Sequence, residues 1–330
     1  MTAPGDAVYQ IENNICTMRF ERHIAQPIER VWAALTDPDD LKAWFYPFEG
    51  TLAAGETVVI PWEEGGGLTS KIVEFDPPRV FAWTWHKPGD PESIVRWELF
   101  PESTGTRFVL THSLPVLAPN EPTDTLAGWQ EHLDTLVDYL QGHTRAWSNA
   151  SWRALKDKYA FETERNRVPG DDGIVETVNG RRQLHFARVL DFPLERVWKA
   201  LTTSEEVSGW FTKAEIDLRE GGTYTLDFSQ YGHEGTYPYK IQRLDPPRVI
   251  EFQFGEHEDD VVRWELFADG DRTLLVLTNR FGPSADPSGQ LGGWHYHLDR
   301  LPSYLAGEPD PRPADHAAAV TARYRETASV

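Results

Sequence analysis

The chain says the same thing twice. Glu29-Arg30-Val31-Trp32 returns as Glu195-Arg196-Val197-Trp198 and Trp44-Phe45 as Trp210-Phe211, both at an offset of 166. Asp76-Pro77-Pro78-Arg79-Val80 returns as Asp245-Pro246-Pro247-Arg248-Val249, 169 later, and Val95-Arg96-Trp97-Glu98-Leu99-Phe100 as Val262-Arg263-Trp264-Glu265-Leu266-Phe267, 167 later. Near the end of each copy, Gly128-Trp129, His132-Leu133-Asp134 and Tyr139-Leu140 match Gly293-Trp294, His297-Leu298-Asp299 and Tyr304-Leu305, all 165 later. Seven blocks in one order, with so little drift in offset, mark a duplicated domain, because a period this long exceeds any solenoid unit. A length of 330 residues agrees with two domains.

Composition narrows the classes. The formal charge is 32 − 52 = −20, which repels phosphate backbones and argues against a nucleic-acid partner. Hydrophobic residues make up 40% and aromatics 12%, enough for each copy to bury its own core. A single cysteine, Cys16, excludes a disulfide framework and a thiolate metal cluster. The absence of a basic start, an early apolar run or a long apolar stretch leads to the expectation of a cytoplasmic protein with no membrane partner.

Each copy reads as an α+β unit. Residues 15–24 have strand composition; Pro27 stands where a first helical residue would, with Glu29 favouring the helix start. Asp37-Pro38-Asp39-Asp40 caps a second helix running to Trp44, and Thr203-Ser204-Glu205-Glu206 is its capping-box counterpart. From Glu49 to Ser113 the period changes to two, with breakers at Gly55, Gly65 to Gly67, Pro77-Pro78, Gly89 to Pro91 and Gly105, which predicts a six-stranded antiparallel meander. Asp124 to Gln141 then carries Leu126, Trp129, Leu133, Leu136, Val137 and Leu140 at helical spacing up to Gly142. The domains are expected at 1–165, with an extra C-terminal helix, and at 181–330, with a tail helix, joined by a linker at 166–180. Pro302 replaces Val137 in the second long helix and predicts a kink, and so two cavities of different shape.

This order and these motifs resemble the START/Bet v1-like superfamily, also called SRPBCC, with its helix-grip fold, and most of all the branch related to the C-terminal domain of the activator of Hsp90 ATPase. The likeness rests on Pro27 to Leu35, Trp44-Phe45, Asp76-Pro77-Pro78, Trp97-Glu98, Leu110-Thr111-His112 and Gly128-Trp129 to Leu140, with their second-copy partners. It implies two tandem helix-grip domains, each a curved antiparallel sheet wrapped around a long C-terminal helix, with a cavity between helix and sheet that opens near the second short helix. Inward-facing candidates are Trp44, Phe45, Trp62, Phe81, Trp83, Trp85, Trp97, Phe108, His112, Trp129 and His132 in the first copy. In the second they are Trp210, Phe211, Tyr224, Phe228, Tyr237, Tyr239, Phe252, Phe254, Trp264, Asn279, Phe281 and Trp294.

Large rings with polar tips suit a flat or polycyclic ligand better than a merely packed core. The second copy adds Tyr224, Tyr231, Tyr237 and Tyr239, whose hydroxyls suit a ligand with polar edges. His112 is a weak candidate for a general base: Asn279 holds its place in the second copy, so a structural or ligand hydrogen bond is the better reading. His295 and His297, two apart on a helix, diverge and do not suggest a metal site. Gly65 to Lys71 lacks the spacing of a phosphate loop, no nucleophile elbow or dinucleotide fingerprint occurs, and Glu63-Glu64 and Glu256 to Asp260 read as solvated loop charges. The expectation is therefore a binder or carrier of a hydrophobic small molecule without cofactor or metal, with natural-product self-resistance or a biosynthetic accessory role as a special case. An aromatase- or cyclase-like enzyme and a regulator of an Hsp90-type chaperone are the alternatives.

Overall fold

The computed structural model describes residues 6–13, 15–63, 66–86, 89–116, 121–167, 170–178, 181–232, 235–255, 257–282 and 286–327. The chain divides into two compact units, residues 1–156 and 157–330.

The first unit begins with β1 Val8–Glu12 and β2 Ile15–Ile24, continues through helices α1 Ile28–Thr36 and α2 Pro38–Leu41, and then forms β3 Thr57–Glu63, β4 Gly66–Asp76, β5 Val80–Thr84, β6 Ile94–Glu102 and β7 Gly105–Pro115. The long helix α3 Glu121–Leu140 follows, then α4 Asn149–Arg167, which spans the division between units. The strands make one antiparallel sheet in the order β1-β2-β7-β6-β5-β4-β3. Period-two patterning drives it: along β2, Cys16, Met18 and Phe20 are buried while Ile15, Arg19 and His23 are exposed.

The second unit has β8 Ile174–Val178, β9 Arg181–Leu190, α5 Leu194–Thr202 and α6 Ser204–Trp210, then strands β10 Lys213–Ile216, β11 Thr223–Asp227, β12 Thr236–Asp245, β13 Val249–Gln253, β14 Val261–Asp269 and β15 Arg272–Phe281, and helices α7 Pro287–Ala306 and α8 His316–Thr327. Its sheet has eight strands in the order β10-β11-β12-β13-β14-β15-β9-β8. Both units are therefore α+β, with a long helix buried against one face of an antiparallel sheet. Residues 157–167 of α4 pack within the second unit, where Ala160 and Phe161 meet Ala187, Phe267, Leu274 and Val276. There His185 Nε2 lies 2.5 Å from Glu164.

Several local expectations are corrected. The six-stranded meander is complete only in the second unit; in the first, the strand expected before β3 shrinks to a single bridge between Glu49 and Val59. Pro27 is the residue before α1 rather than its first helical position. Asp37 does cap α2, accepting from the backbone N–H of Asp39 and Asp40, but Thr203 makes no such bond; its hydroxyl turns back to Lys199 O, and Glu206 is drawn away into ion pairs with Arg196 (2.7 Å) and Lys199 (3.2 Å). The Arg196–Glu206 pair repeats Arg30–Asp40 at 2.6 Å, so an ion pair ties the two short helices together in each copy. Asp260 is buried and paired with Arg181 at 2.5 Å, not solvated. Pro302 lies inside α7, on its exposed side, as the sequence places it. Glu64, Gly65, Glu256 and the side chains of Trp62 and Glu63 lie outside the described residues.

Candidate functional site

In each unit the second short helix hands the chain to a Trp-Phe pair. Trp44 Nε1 donates to Ala34 O (2.8 Å) and Trp210 Nε1 to Ala200 O (2.9 Å), which locks each indole against the preceding helix. The following ring is thereby aimed at the long helix: Phe45 stacks on Trp129 at 5.5 Å between centroids, and Phe211 on Trp294 at 5.3 Å. Beyond these stacks each unit holds a cavity.

The first, about 370 Å³, is lined by Phe45, Tyr46, Trp85, Asp124, Thr125, Gly128, Trp129, His132, Trp147 and Trp152. The second, about 420 Å³, is lined by Phe211, Phe228, Tyr237, Tyr239, Phe254, Gln290, Gly293, Trp294 and His297. Both walls on the helix side are one stripe at i, i+3, i+4 and i+7: Thr125, Gly128, Trp129, His132 in α3 and Gln290, Gly293, Trp294, His297 in α7. Sequence reasoning ranked rings and so passed over Thr125, Gly128, Gln290 and Gly293, although the helical period through Trp129 and Trp294 contains them. Trp147 and Trp152 come from beyond the helix, before and just inside the start of α4, and no spacing announces them.

Other ring candidates are core. Trp44, Phe81, Trp83, Trp97 and Phe108 are buried behind the first cavity, with Trp83 and Trp97 4.5 Å apart edge-to-face, a favoured arrangement of aromatic quadrupoles. Trp210, Phe252, Trp264 and Phe281 are buried in the second unit. Tyr224 is buried there too, stacked on Phe252, with its hydroxyl bonded to Leu201 O. The Tyr231 hydroxyl bonds Phe211 O, so of the four tyrosines Tyr237 and Tyr239 border the cavity.

His112 supports the wall from behind. Trp129 Nε1 donates to its Nδ1 at 2.9 Å, and its Nε2 faces Ser93 Oγ at 3.2 Å. A neutral imidazole that accepts at one nitrogen carries its proton on the other, so the proton sits on Nε2. Burial lowers its pKa to about 3, so the ring is neutral at physiological pH, and both nitrogens are engaged. Asn279 does the same work in the second unit: its Oδ1 accepts from Trp294 Nε1 (3.0 Å) and its Nδ2 donates to Val261 O (3.1 Å). A carboxamide replaces an imidazole because both offer one acceptor and one donor at the same places.

The cavity histidines differ. His132 is lowered to about 4 by burial, and its Nδ1 is bonded to Trp44 O at 2.9 Å. His297 is lowered to about 3 by burial and by the neighbouring Arg300 charge, and its Nδ1 is buried with no hydrogen-bond partner among the described residues, as is Gln290 Oε1. His295 faces the other way, bonded to Tyr324 of α8 at 2.8 Å. Among the described residues no group of three or more His, Cys, Asp or Glu side chains is placed to hold a metal ion, and no helix is long and apolar enough to cross a membrane.

The helix glycines separate two uses of a missing side chain. A β-carbon on Gly292 would stand 2.0 Å from Thr321 Oγ1, so that glycine lets α8 close on α7. At Gly128 and Gly293, among the described residues, nothing comes within 4 Å of the same point, and both border a cavity. A helix-interior glycine costs about 0.5–1 kcal/mol relative to alanine, and here packing within the protein does not require it.

The family described as activator of Hsp90 ATPase homolog 1-like protein matches residues 25–141 and 191–306. No curated protein matches the chain. Similar solved structures include CalU16 from Micromonospora echinospora, 21% identical, covering 48% of this chain and 98% of its own, with a TM-score of 0.41. Another is DynU16, from the dynemicin biosynthetic locus, 18% identical, covering 88% and 97%, with a TM-score of 0.39. A third is MLL2253 from Mesorhizobium loti, 27% identical, covering 39% and 99%, with a TM-score of 0.35.

Proposed function

The chain belongs, through both of its repeats, to the activator of Hsp90 ATPase homolog 1-like family, and from that premise we propose that it binds hydrophobic aromatic small molecules, one in each cavity. One observation carries this reading: at the same point of the long helix, each repeat keeps a glycine, half-buried Gly128 and exposed Gly293, with no described atom within 4 Å of where a β-carbon would stand and a cavity-lining tryptophan as its neighbour. A ligand ring in that space stacks on Trp129 or Trp294. If it buries about 300 Å² of apolar surface the gross gain is roughly 7 kcal/mol, and after an association cost of about 4 kcal/mol this term alone supports weak binding, on the order of millimolar.

The function is sequestration or carriage rather than turnover. His112 has no free nitrogen with which to move a proton, and burial leaves His132 and His297 only weakly basic, which disfavours them as general bases. Such a protein acts in the cytoplasm, on a polycyclic or polyketide-like metabolite; protection of a cell that makes a reactive aromatic compound is a special case of this role.

Tryptophan fluorescence of the full chain titrated with a panel of polycyclic aromatics tests the proposal. Saturable quenching accompanied by a raised melting temperature is expected. Gly128→Leu and Gly293→Leu, which fill the two spaces, each remove one of two binding events. A flat response across the panel overturns the proposal.

A further inference from the structure

The two cavities share a plan but not a charge. Trp85, Trp129, Trp147 and Trp152 stand around the first, and among the described residues Asp124 is its one ionised wall residue, since burial keeps His132 neutral near physiological pH. These groups have surface to offer a ligand: Trp147 is 45% exposed, the Asp124 side chain 39%, and Trp85 and Trp152 are half-buried. The protein already brings a cation to this wall. The ammonium of Lys156 lies 2.6 Å from Asp124 Oδ1 and 5.5 Å from the centre of the Trp152 ring, within the range at which an indole attracts a cation. The second unit lacks the whole set. At the offset of 165 shared by the long helices and by Lys158-Tyr159 and Arg323-Tyr324, the residues Asp124, Trp147, Trp152 and Lys156 give way to Gly289, Arg312, Ala317 and Thr321. Among the described residues no ionised side chain borders the second cavity.

We propose that the first cavity takes ligands that carry an alkylammonium group, held against the accessible indoles Trp85, Trp147 and Trp152 beside Asp124, in competition with the ammonium of Lys156. This rests on the reading of the cavity as a ligand site and adds the ligand's charge. An indole has a negative face, so a cavity walled by several of them favours a cation over an anion. Burying a charge is costly unless it is paired, and Asp124 supplies the opposite charge. Its Oδ1 is covered where Lys156 meets it, so lysine and ligand draw on the same carboxylate. With Lys156 in place the carboxylate is largely balanced, and a ligand cation gains as the lysine is withdrawn. The chain's formal charge of −20 draws cations toward it and repels anions.

The test titrates the full chain with benzyltrimethylammonium and with neopentylbenzene, the same shape without the charge, by tryptophan fluorescence. Gly293→Leu leaves only the first cavity open and Gly128→Leu only the second. The quantity read is the ratio of the two affinities, in which the hydration of the ammonium cancels when one cavity is compared with the other. The first cavity is expected to exceed the second in this ratio by about tenfold, the gain of an ammonium held among indoles. In the Gly293→Leu chain, Lys156→Met is expected to raise the ratio about threefold by removing the competitor, and Asp124→Asn and Trp147→Leu each to lower it by about as much. Melting curves confirm that each variant folds, and if one of the last two does not, the other decides. Equal ratios in the two cavities, or a ratio that these three substitutions leave unmoved, overturn the inference while leaving the first cavity as a site for neutral ligands. Failure of both probes to bind the parent chain overturns the ligand reading itself, and this inference with it.

Discussion

His112 and Asn279 answer one structural requirement with different chemistry, and the difference has a pH signature. Each holds the indole N–H of the cavity tryptophan, but only the imidazole can titrate. The pKa of His112 falls from 6.5 to about 3 on folding. Between those values the unfolded chain binds the proton and the folded chain does not, so stability is whole above pH 6.5 and falls as the pH drops. His132 and His297 add to the same trend. The slope reaches about 1.4 kcal/mol per pH unit for each such histidine. His112→Asn, which installs the second copy's residue, is expected to reduce the acid sensitivity of the first unit by that much while keeping the Trp129 bond. Urea unfolding near neutral and near mildly acidic pH would show it, and an unchanged slope would refute the assignment. A second residue pair points the same way. Trp83 is fully buried with its indole nitrogen unpartnered among the described residues, and the corresponding strand position in the second copy is Phe252. Relieving an orphaned donor offsets part of the lost packing, so Trp83→Phe costs at most about 1.5 kcal/mol, well short of the roughly 3–5 kcal/mol of a Trp→Ala change.

Among the elements, the long helices carry the functional argument. Gly128→Ala meets no steric obstacle and improves helix propensity, so it is expected to stabilise the first unit by about 0.5–1 kcal/mol while weakening ligand binding there. A melting curve together with a titration separates the two effects, and a variant that binds as well as the parent would mean the ligand does not use this space. Gly292→Ala is expected to do the opposite, because its β-carbon collides with Thr321 of α8 and overpacking destabilises. Pro302 supplies the contrast between the copies. It lies exposed inside α7, where proline removes a backbone donor. Pro302→Val, the residue of the first copy, is expected to raise the melting temperature by the equivalent of about 1–3 kcal/mol; no rise would show that the helix already accommodates the ring.

At the scale of the whole molecule, duplication produced two cavities on one plan with different walls, so if both take a ligand the stoichiometry is expected to be two per chain with unequal affinities, measurable by calorimetry. The fold was legible in the sequence because its signals are local: alternation along β2, the helical spacing of Leu126, Leu133, Leu136 and Leu140, and repetition itself, which supplied each assignment with an internal check. The candidate site was legible only in part. Periodicity says which face a residue occupies but not how deep it lies, so Trp83 and Trp85, neighbours on one face of the sequence pattern, part company: one is sealed among Phe48, Phe81 and Trp97, the other borders the cavity. What the sequence alone determined, then, is the duplication, the α+β plan and the aromatic interior. The tertiary structure decided which rings face open space, which glycines stand beside it, and which polar atoms find a partner. Those outcomes depend on groups far apart along the chain: His132 is satisfied by the carbonyl of Trp44, on the far side of the sheet's sequence, while the Nδ1 of its counterpart His297, on the same helical stripe, finds no hydrogen-bond partner among the described residues.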